Sequence, residues 1–276
     1  MCITTAPARL SKTKILASKM DNGNHLLSYS NTAKNISGRP NAMILPVPGK
    51  LNKELFFDTT LYNNFLKDIE YQIKPKSRGA SLKSFKSVLS DDVEDFQVGM
   101  YRILLSENLP AIQKVLNELP EAQRPQISQE LYDFFASHYA GWSFVVCCFD
   151  SSKETDSQPI MFEYKPMYPD YLYYPGMDSH NGLAPEPGSA VRVDHCLMVQ
   201  ELGEDINGRK ANNFFKQKEY VPEFLVKHYN GKIVDGINSN GDWYVSIDDL
   251  KGRVDNKDTW YKPINFIRTT KHPSLV

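Results

Sequence analysis

Residues 14–20 (KILASKM), 21–24 (DNGN) and 25–30 (HLLSYS) read as a strand, a tight turn and a returning strand. Asn22-Gly23 supplies two residues that tolerate positive φ, as a two-residue hairpin turn requires. Working outward, residues 2–5 form a leading strand. Residues 41–47 (NAMILPV) form another, closed by Pro46 and Pro48. The first fifty residues are therefore expected to make a small antiparallel sheet.

Further along, Leu61, Phe65, Leu66 and Ile69 mark a helix over residues 61–69. Residues 71–88 hold Lys74, Lys76, Arg78, Lys83 and Lys86 without an acid, and their Ser and Gly content predicts a solvated loop. Residues 95–106 read as one strand. Two helices follow. One spans 109–119 with Pro110 in its first turn, where the missing N–H costs little. The other spans 127–139, with Ile127, Leu131, Phe134, Phe135 and His138 on one face.

Residues 143–149 (SFVVCCF) are a continuous apolar run, the pattern of a central strand buried on both sides. Residues 160–164 and 171–174 return as strands, and the Pro- and Gly-rich residues 175–188 form a loop. Residues 191–200 alternate: Val191, Val193, His195, Leu197 and Val199 on one face, Arg192, Asp194, Cys196, Met198 and Gln200 on the other. Helices over 211–218 and 222–229 and a strand over 243–247 complete the chain. No composition break divides residues 1–276, so the expectation is a single α+β domain, mainly antiparallel sheet with packed helices.

The bulk properties fit that reading. A chain of 276 residues is ample for a buried core, and 41% hydrophobic with 24% charged residues is ordinary for a soluble protein. A net charge of −1 provides no global field for nucleic acid or anionic membrane. No window approaches the apolar length of a membrane span. Four cysteines (Cys2, Cys147, Cys148 and Cys196) with no C-x-x-C pair imply a reducing, cytoplasmic setting.

Met1-Cys2 carries the sharpest chemistry. Trimming of the initiator before a small residue leaves a cysteine with a free α-amine, whose pKa near ~8 suits it to act as base for the thiol. The start resembles the Ntn-hydrolase group that includes bile-salt hydrolases and penicillin V acylases. Those begin Met-Cys-Thr and close the next strand with Arg-Asn-Met/Leu-Asp. Here Met20 and Asp21 match, and Ser18 stands in place of the arginine that helps activate the thiol. The resemblance implies a cysteine hydrolase of carbon–nitrogen bonds, with Cys2 as nucleophile and Asp21 orienting its amine. Asp21 before Asn-Gly is also ordinary turn chemistry. His180 or His195 is available as an assisting acid or base, and Asn22, Asn31 and Asn41 as oxyanion donors.

A second resemblance covers more of the chain. NAMILPVP (41–48), GWSFVVC (141–147), MFEY (161–164), DSHNG (178–182) and the Asp194-His195-Cys196-Leu197 stretch are similar to blocks of a family of uncharacterised, mostly bacterial proteins. That likeness implies a fold and a site location more than a reaction. Within it, Asp178, His180, Asp194 and His195 form a possible N/O ligand set for a divalent ion. The plainer alternative is a hydrogen-bonded core His195 and a loop His180, and no metal or other cofactor is assigned. Tyr173 and Tyr174, with Asn41, are the candidate substrate-binding residues; packing of the strand is the alternative for the tyrosines. The partner expected for an enzyme is a small-molecule or peptide substrate, and nothing specifies an oligomeric state. The rival function is a non-catalytic binding or assembly protein using its aromatic residues and the 175–188 loop as an interaction surface. A metal-dependent hydrolase is the third.

Overall fold

A computed structural model describes residues 2–73, 95–200, 225, 229–255 and 264–273. The helices expected over 211–218 and 222–229 and the basic residues of 74–88 lie outside the described residues, Leu225 and Tyr229 excepted.

Strand dominates. The described residues form fifteen strands against four α-helices, which overturns the α+β expectation: this is a β-rich protein of three sheets. The helical periodicities are real but short. They yield α1 (Phe65–Ile73), α2 (Leu109–Asn117), α3 (Gln129–His138) and α4 (Ile247–Asp255). The strand signals run longer than their core patterns suggested, as β2 (Ala8–Lys19), β3 (His25–Asn35), β12 (Ala190–Gln200) and β13 (Tyr229–Ser239) show.

The five-stranded sheet has the order β1 (Ile3–Thr4), β4 (Asn41–Val47), β8 (Ser143–Phe149), β7 (Tyr101–Ser106), β6 (Asp95–Val98). The single strand expected over 95–106 is thus a hairpin, turned at Gly99 with φ 58°. The second sheet runs β13, β12, β2, β3, β10 (Ile160–Pro166), β5 (Gly49–Lys50), with β9 (Thr155–Asp156) also paired to β3. The third is β11 (Tyr171–Tyr174), β14 (Asp242–Ser246), β15 (Ile267–Thr269). The first fifty residues do not share one sheet. The chain leaves β1 and crosses to the second sheet at β2, and β4 returns to β1.

Side-chain alternation turns these sheets into layers. One face of the five-stranded sheet (Met43, Leu45, Val145, Cys147) meets one face of the seven-stranded sheet (Ile15, Leu27, Tyr29, Leu197) in a common core. The outer face of the first (Ile44, Phe144, Val146) packs on α2 and α3 through Ile112, Leu116, Leu131 and Phe135. The outer face of the second (Leu16, Leu26, Cys196, Met198) packs on α1 through Phe65, Leu66 and Ile69. The order is helix, sheet, sheet, helix. Pro110 stands at the start of α2, which Asn108 caps by accepting from the Ala111 N–H, and Ser128 caps α3 by accepting from Leu131. No helix among the described residues is long and apolar enough to cross a membrane.

Among the named strands of the described residues one pairing is parallel: β2 lies beside β12, with Thr13 opposite His195. Immediately before it, Lys12 adopts φ 53° at a register shift between β2 and β3, and its N–H donates to Asp194 Oδ2 at 2.8 Å. That bond holds the bulge and re-aims the strand.

Candidate functional site

The amino-terminal strand is gripped from both sides. On one side β1 pairs with β4. On the other it lies against residues 179–181. Thr4 N–H donates to the Ser179 carbonyl (2.8 Å), Ser179 N–H to the Cys2 carbonyl (3.2 Å) and Ala8 N–H to the His180 carbonyl (2.9 Å). Gly182 closes this approach with φ +82°. A Cβ there would stand 2.7 Å from the Thr5 carbonyl oxygen, so only glycine fits. Ser128 Oγ donates to the Gly182 carbonyl at 3.0 Å and ties the loop to the start of α3.

Asn41 completes the grip. Its Oδ1 accepts from Ala6 N–H (3.0 Å) and Thr5 Oγ1 (3.1 Å), and its Nδ2 donates to the Ala6 carbonyl (2.9 Å). All of it is buried. These bonds are to the backbone of Ala6 and the hydroxyl of Thr5, so Asn41 holds the strand rather than facing a ligand. Asn41→Ala should cost about 2 kcal/mol in urea unfolding, because it strands a buried N–H, a buried carbonyl and a hydroxyl together.

Cys2 is buried at 2% exposure. Its Sγ lies 2.5 Å from Tyr29 Oη. Asn31 Nδ2 donates to that oxygen at 3.3 Å, and Tyr101 Oη donates to Asn31 Oδ1 at 2.7 Å, so a polar chain runs through the common core. Burial pushes the thiol up to about 11, only partly offset by the charge at the chain terminus and the Tyr29 bond. Desolvation also raises Tyr29 well above the phenol range. The thiol therefore rests protonated.

The structure does not bring the predicted catalytic residues together. Asp21 sits exposed in the turn at the far end of β2, six residues past Ile15, which pairs with Tyr29. Among the described residues no hydrogen bond joins the His180 ring to Cys2. Instead His180 Nε2 approaches Asp178 Oδ1 to 2.8 Å, an ion-pair distance whose angles miss hydrogen-bond geometry. Asp178 also lies within electrostatic reach of the Cys2 thiol. Tyr173 and Tyr174 are both buried and structural. Tyr173 packs edge-on to Trp142, and Tyr174 Oη donates to the Met198 carbonyl at 3.0 Å.

His195 is buried, with its ring 5.5 Å from Trp243. Its Nδ1 accepts from Asp194 N–H at 3.2 Å, which leaves the proton on Nε2. Desolvation holds it well below the ordinary histidine value, so it is neutral. No group of three or more His, Cys, Asp or Glu side chains among the described residues is gathered to hold a metal ion.

Three residues not singled out as site candidates in the sequence organise this junction. Asp242 Oδ1 accepts from Gly176 N–H (2.7 Å) and Met177 N–H (2.9 Å), and its Oδ2 accepts from Tyr139 Oη (2.9 Å). Asn240 holds the next residue: its Oδ1 accepts from Asp178 N–H and its Nδ2 donates to the Asp178 carbonyl. Arg268, directly opposite Trp243 in the β14–β15 pairing, lays its guanidinium over the Trp243 ring at 4.1 Å. The available signal was the Asn240-Gly241-Asp242 turn directly before a strand, where Asx side chains cap neighbouring backbone. A lone arginine in residues 264–273 carried none.

A scan against protein-family models finds no match, and no curated protein matches the chain. Among solved structures, the chain is similar to baculovirus P35, with a TM-score of 0.48 and 12% identity over 90% of this chain and 92% of that one. It is also similar to a mutated baculovirus P35 after caspase cleavage, with a TM-score of 0.40 and 11% identity over 86% and 92% of the two chains. In the caspase-8/P35 complex the values are 0.38 and 14%, over 71% and 65%.

Proposed function

We propose that this is a non-catalytic binding protein, whose partner docks where the amino-terminal strand, residues 178–183 and Arg268 meet. One observation carries the choice: the Cys2 thiol is sealed against a tyrosine hydroxyl and raised to about 11. At neutral pH that leaves a thiolate fraction on the order of one in ten thousand, whereas a nucleophilic cysteine works as the thiolate. The loop beside it offers surface for a partner, since Asn181 and Leu183 are exposed and Asp178 and His180 are half-buried. A cytoplasmic setting suits four buried cysteines outside any disulfide.

The second reading is the C–N hydrolase with Cys2 as nucleophile. It is favoured by the contact with Tyr29 Oη, which pulls the thiol down against burial. Iodoacetamide alkylation of Cys2, followed by peptide mapping from pH 6 to 11, separates the two. The expected profile rises only toward the alkaline end, with Cys2 no faster at pH 7 than Cys147, Cys148 or Cys196. A midpoint below pH 8, together with amide hydrolysis lost in Cys2→Ser, would overturn the binding reading. Intact mass adds an independent check, since retention of Met1 removes the free cysteine amine the hydrolase needs.

A further inference from the structure

We infer that the Nη1–Nη2 edge of the Arg268 guanidinium is a binding site for a carboxylate carried by the partner. This deepens the binding-protein reading and rests on it. Arg268 has five N–H donors in a planar fork. Only Nε is used, donating to the Gly241 carbonyl at 3.2 Å. Nη1 and Nη2 are shielded from solvent and have no partner among the described residues. Stacking on Trp243 fixes the plane of the fork, so both unused nitrogens are held in one orientation.

The acids that face Arg268 are committed elsewhere. Asp242 spends both oxygens on Gly176, Met177 and Tyr139. Asp178 is drawn to His180. Both attract Arg268 through space, yet burial still pulls the guanidinium down to about 10, the mark of a cation that lost water without gaining a dedicated acceptor.

A carboxylate fits this edge better than a phosphate. Its two oxygens match the two Nη groups in plane. A dianion would meet Asp178 and Asp242 at close range, where a single negative charge is better tolerated. The guanidinium borders the 240–242 turn through its Nε bond to Gly241 and lies within electrostatic reach of Asp178, beside which the His180 side chain is 26% exposed.

The test uses the full chain and follows its melting temperature. The probes are sodium succinate, as a free carboxylate, and an acetylated, amidated peptide carrying one glutamate, as a side-chain carboxylate. Controls are succinamide, the glutamine peptide, inorganic phosphate and sodium chloride at matched ionic strength. A rise of about 5 °C at saturating succinate or glutamate peptide is expected, absent with the neutral analogues and lost in Arg268→Gln. A rise with the peptide alone assigns the carboxylate to a peptide; a rise with both assigns it to carboxylates generally. Should Arg268→Gln fail to fold, Arg268→Lys keeps the charge without the fork, and at least tenfold weaker binding is expected. No rise beyond the salt control, an equal rise with phosphate, or an unchanged rise in the variant overturns the inference. The alkylation profile of Cys2 is read separately, so failure of the carboxylate site and failure of the binding reading are told apart.

Discussion

Asp242→Ala should lose about 4 kcal/mol of folding free energy, and Asp242→Asn less than half of that. The carboxylate is 2% exposed and accepts three hydrogen bonds, two from backbone N–H groups and one from a tyrosine. Alanine leaves all three donors buried without acceptors, each costing about 1–3 kcal/mol. It also removes one of the two acids that offset Arg268. Asparagine can keep both backbone bonds on its carbonyl oxygen and donate from its amide to Tyr139 Oη. Urea unfolding of the three proteins decides the matter, and equal losses in the two variants would show that the backbone bonds are not what Asp242 supplies. The change should also be local. Gly176 and Met177 lead into residues 178–182, so the Thr4 and Ser179 amides should exchange hydrogen faster in Asp242→Ala than in the parent.

Acid should destabilise the protein through His25, by about 3 kcal/mol between pH 7 and pH 4. This histidine opens β3 opposite Tyr164, is fully buried and packs edge-on to the Tyr164 ring. Neither ring nitrogen makes a hydrogen bond among the described residues; the nearby Pro169 carbonyl only moderates the shift. Desolvation pulls the imidazole down to about 4 from its ordinary 6.5. The sign follows from which state takes the proton. Below pH 6.5 the unfolded chain is protonated there while the folded one is not, so stability present above that pH drains away as the pH falls to about 4. His195, lowered in the same direction, adds to the loss. His25→Phe keeps a ring in the same space and removes the proton site. Its urea-derived stability should therefore fall about 3 kcal/mol less than the parent's over this range, and identical slopes would assign the acid sensitivity elsewhere.

Local pattern revealed most of the individual strands. The unbroken apolar run of β8 does face two cores, with Val145 and Cys147 on one side and Phe144 and Val146 on the other. The alternation in β12 likewise separates Leu197 and Val199 from Cys196 and Met198. What local pattern does not contain is which strands meet. Nothing in residues 1–50 signals that β1 and β2 part into different sheets, because each looks the same to its own neighbours. Helical stretches of nine or ten residues also carried as much weight in the reading as strands that proved longer, and this tilted the class toward α+β. At the site, Cys2 and His180 were visible as chemistry-bearing residues. How their segments lie against each other was not visible, because it depends on backbone bonds between residues nearly 180 positions apart in sequence. Asp242 and Arg268 escaped because their significance lies in partners from distant segments.

The parallel contact between β2 and β12 has a consequence for how the molecule is made. Thr13 leaves the ribosome long before His195, the residue it will sit beside, about 180 positions later. During synthesis β2 can zip onto β3 at once, but its other edge must wait, bare, until most of the chain has emerged. An unoccupied edge invites any extended chain that drifts past. The yield of correctly folded protein should thus depend on the pace of translation and on chaperones that shelter nascent strands, more than on the final stability of the product.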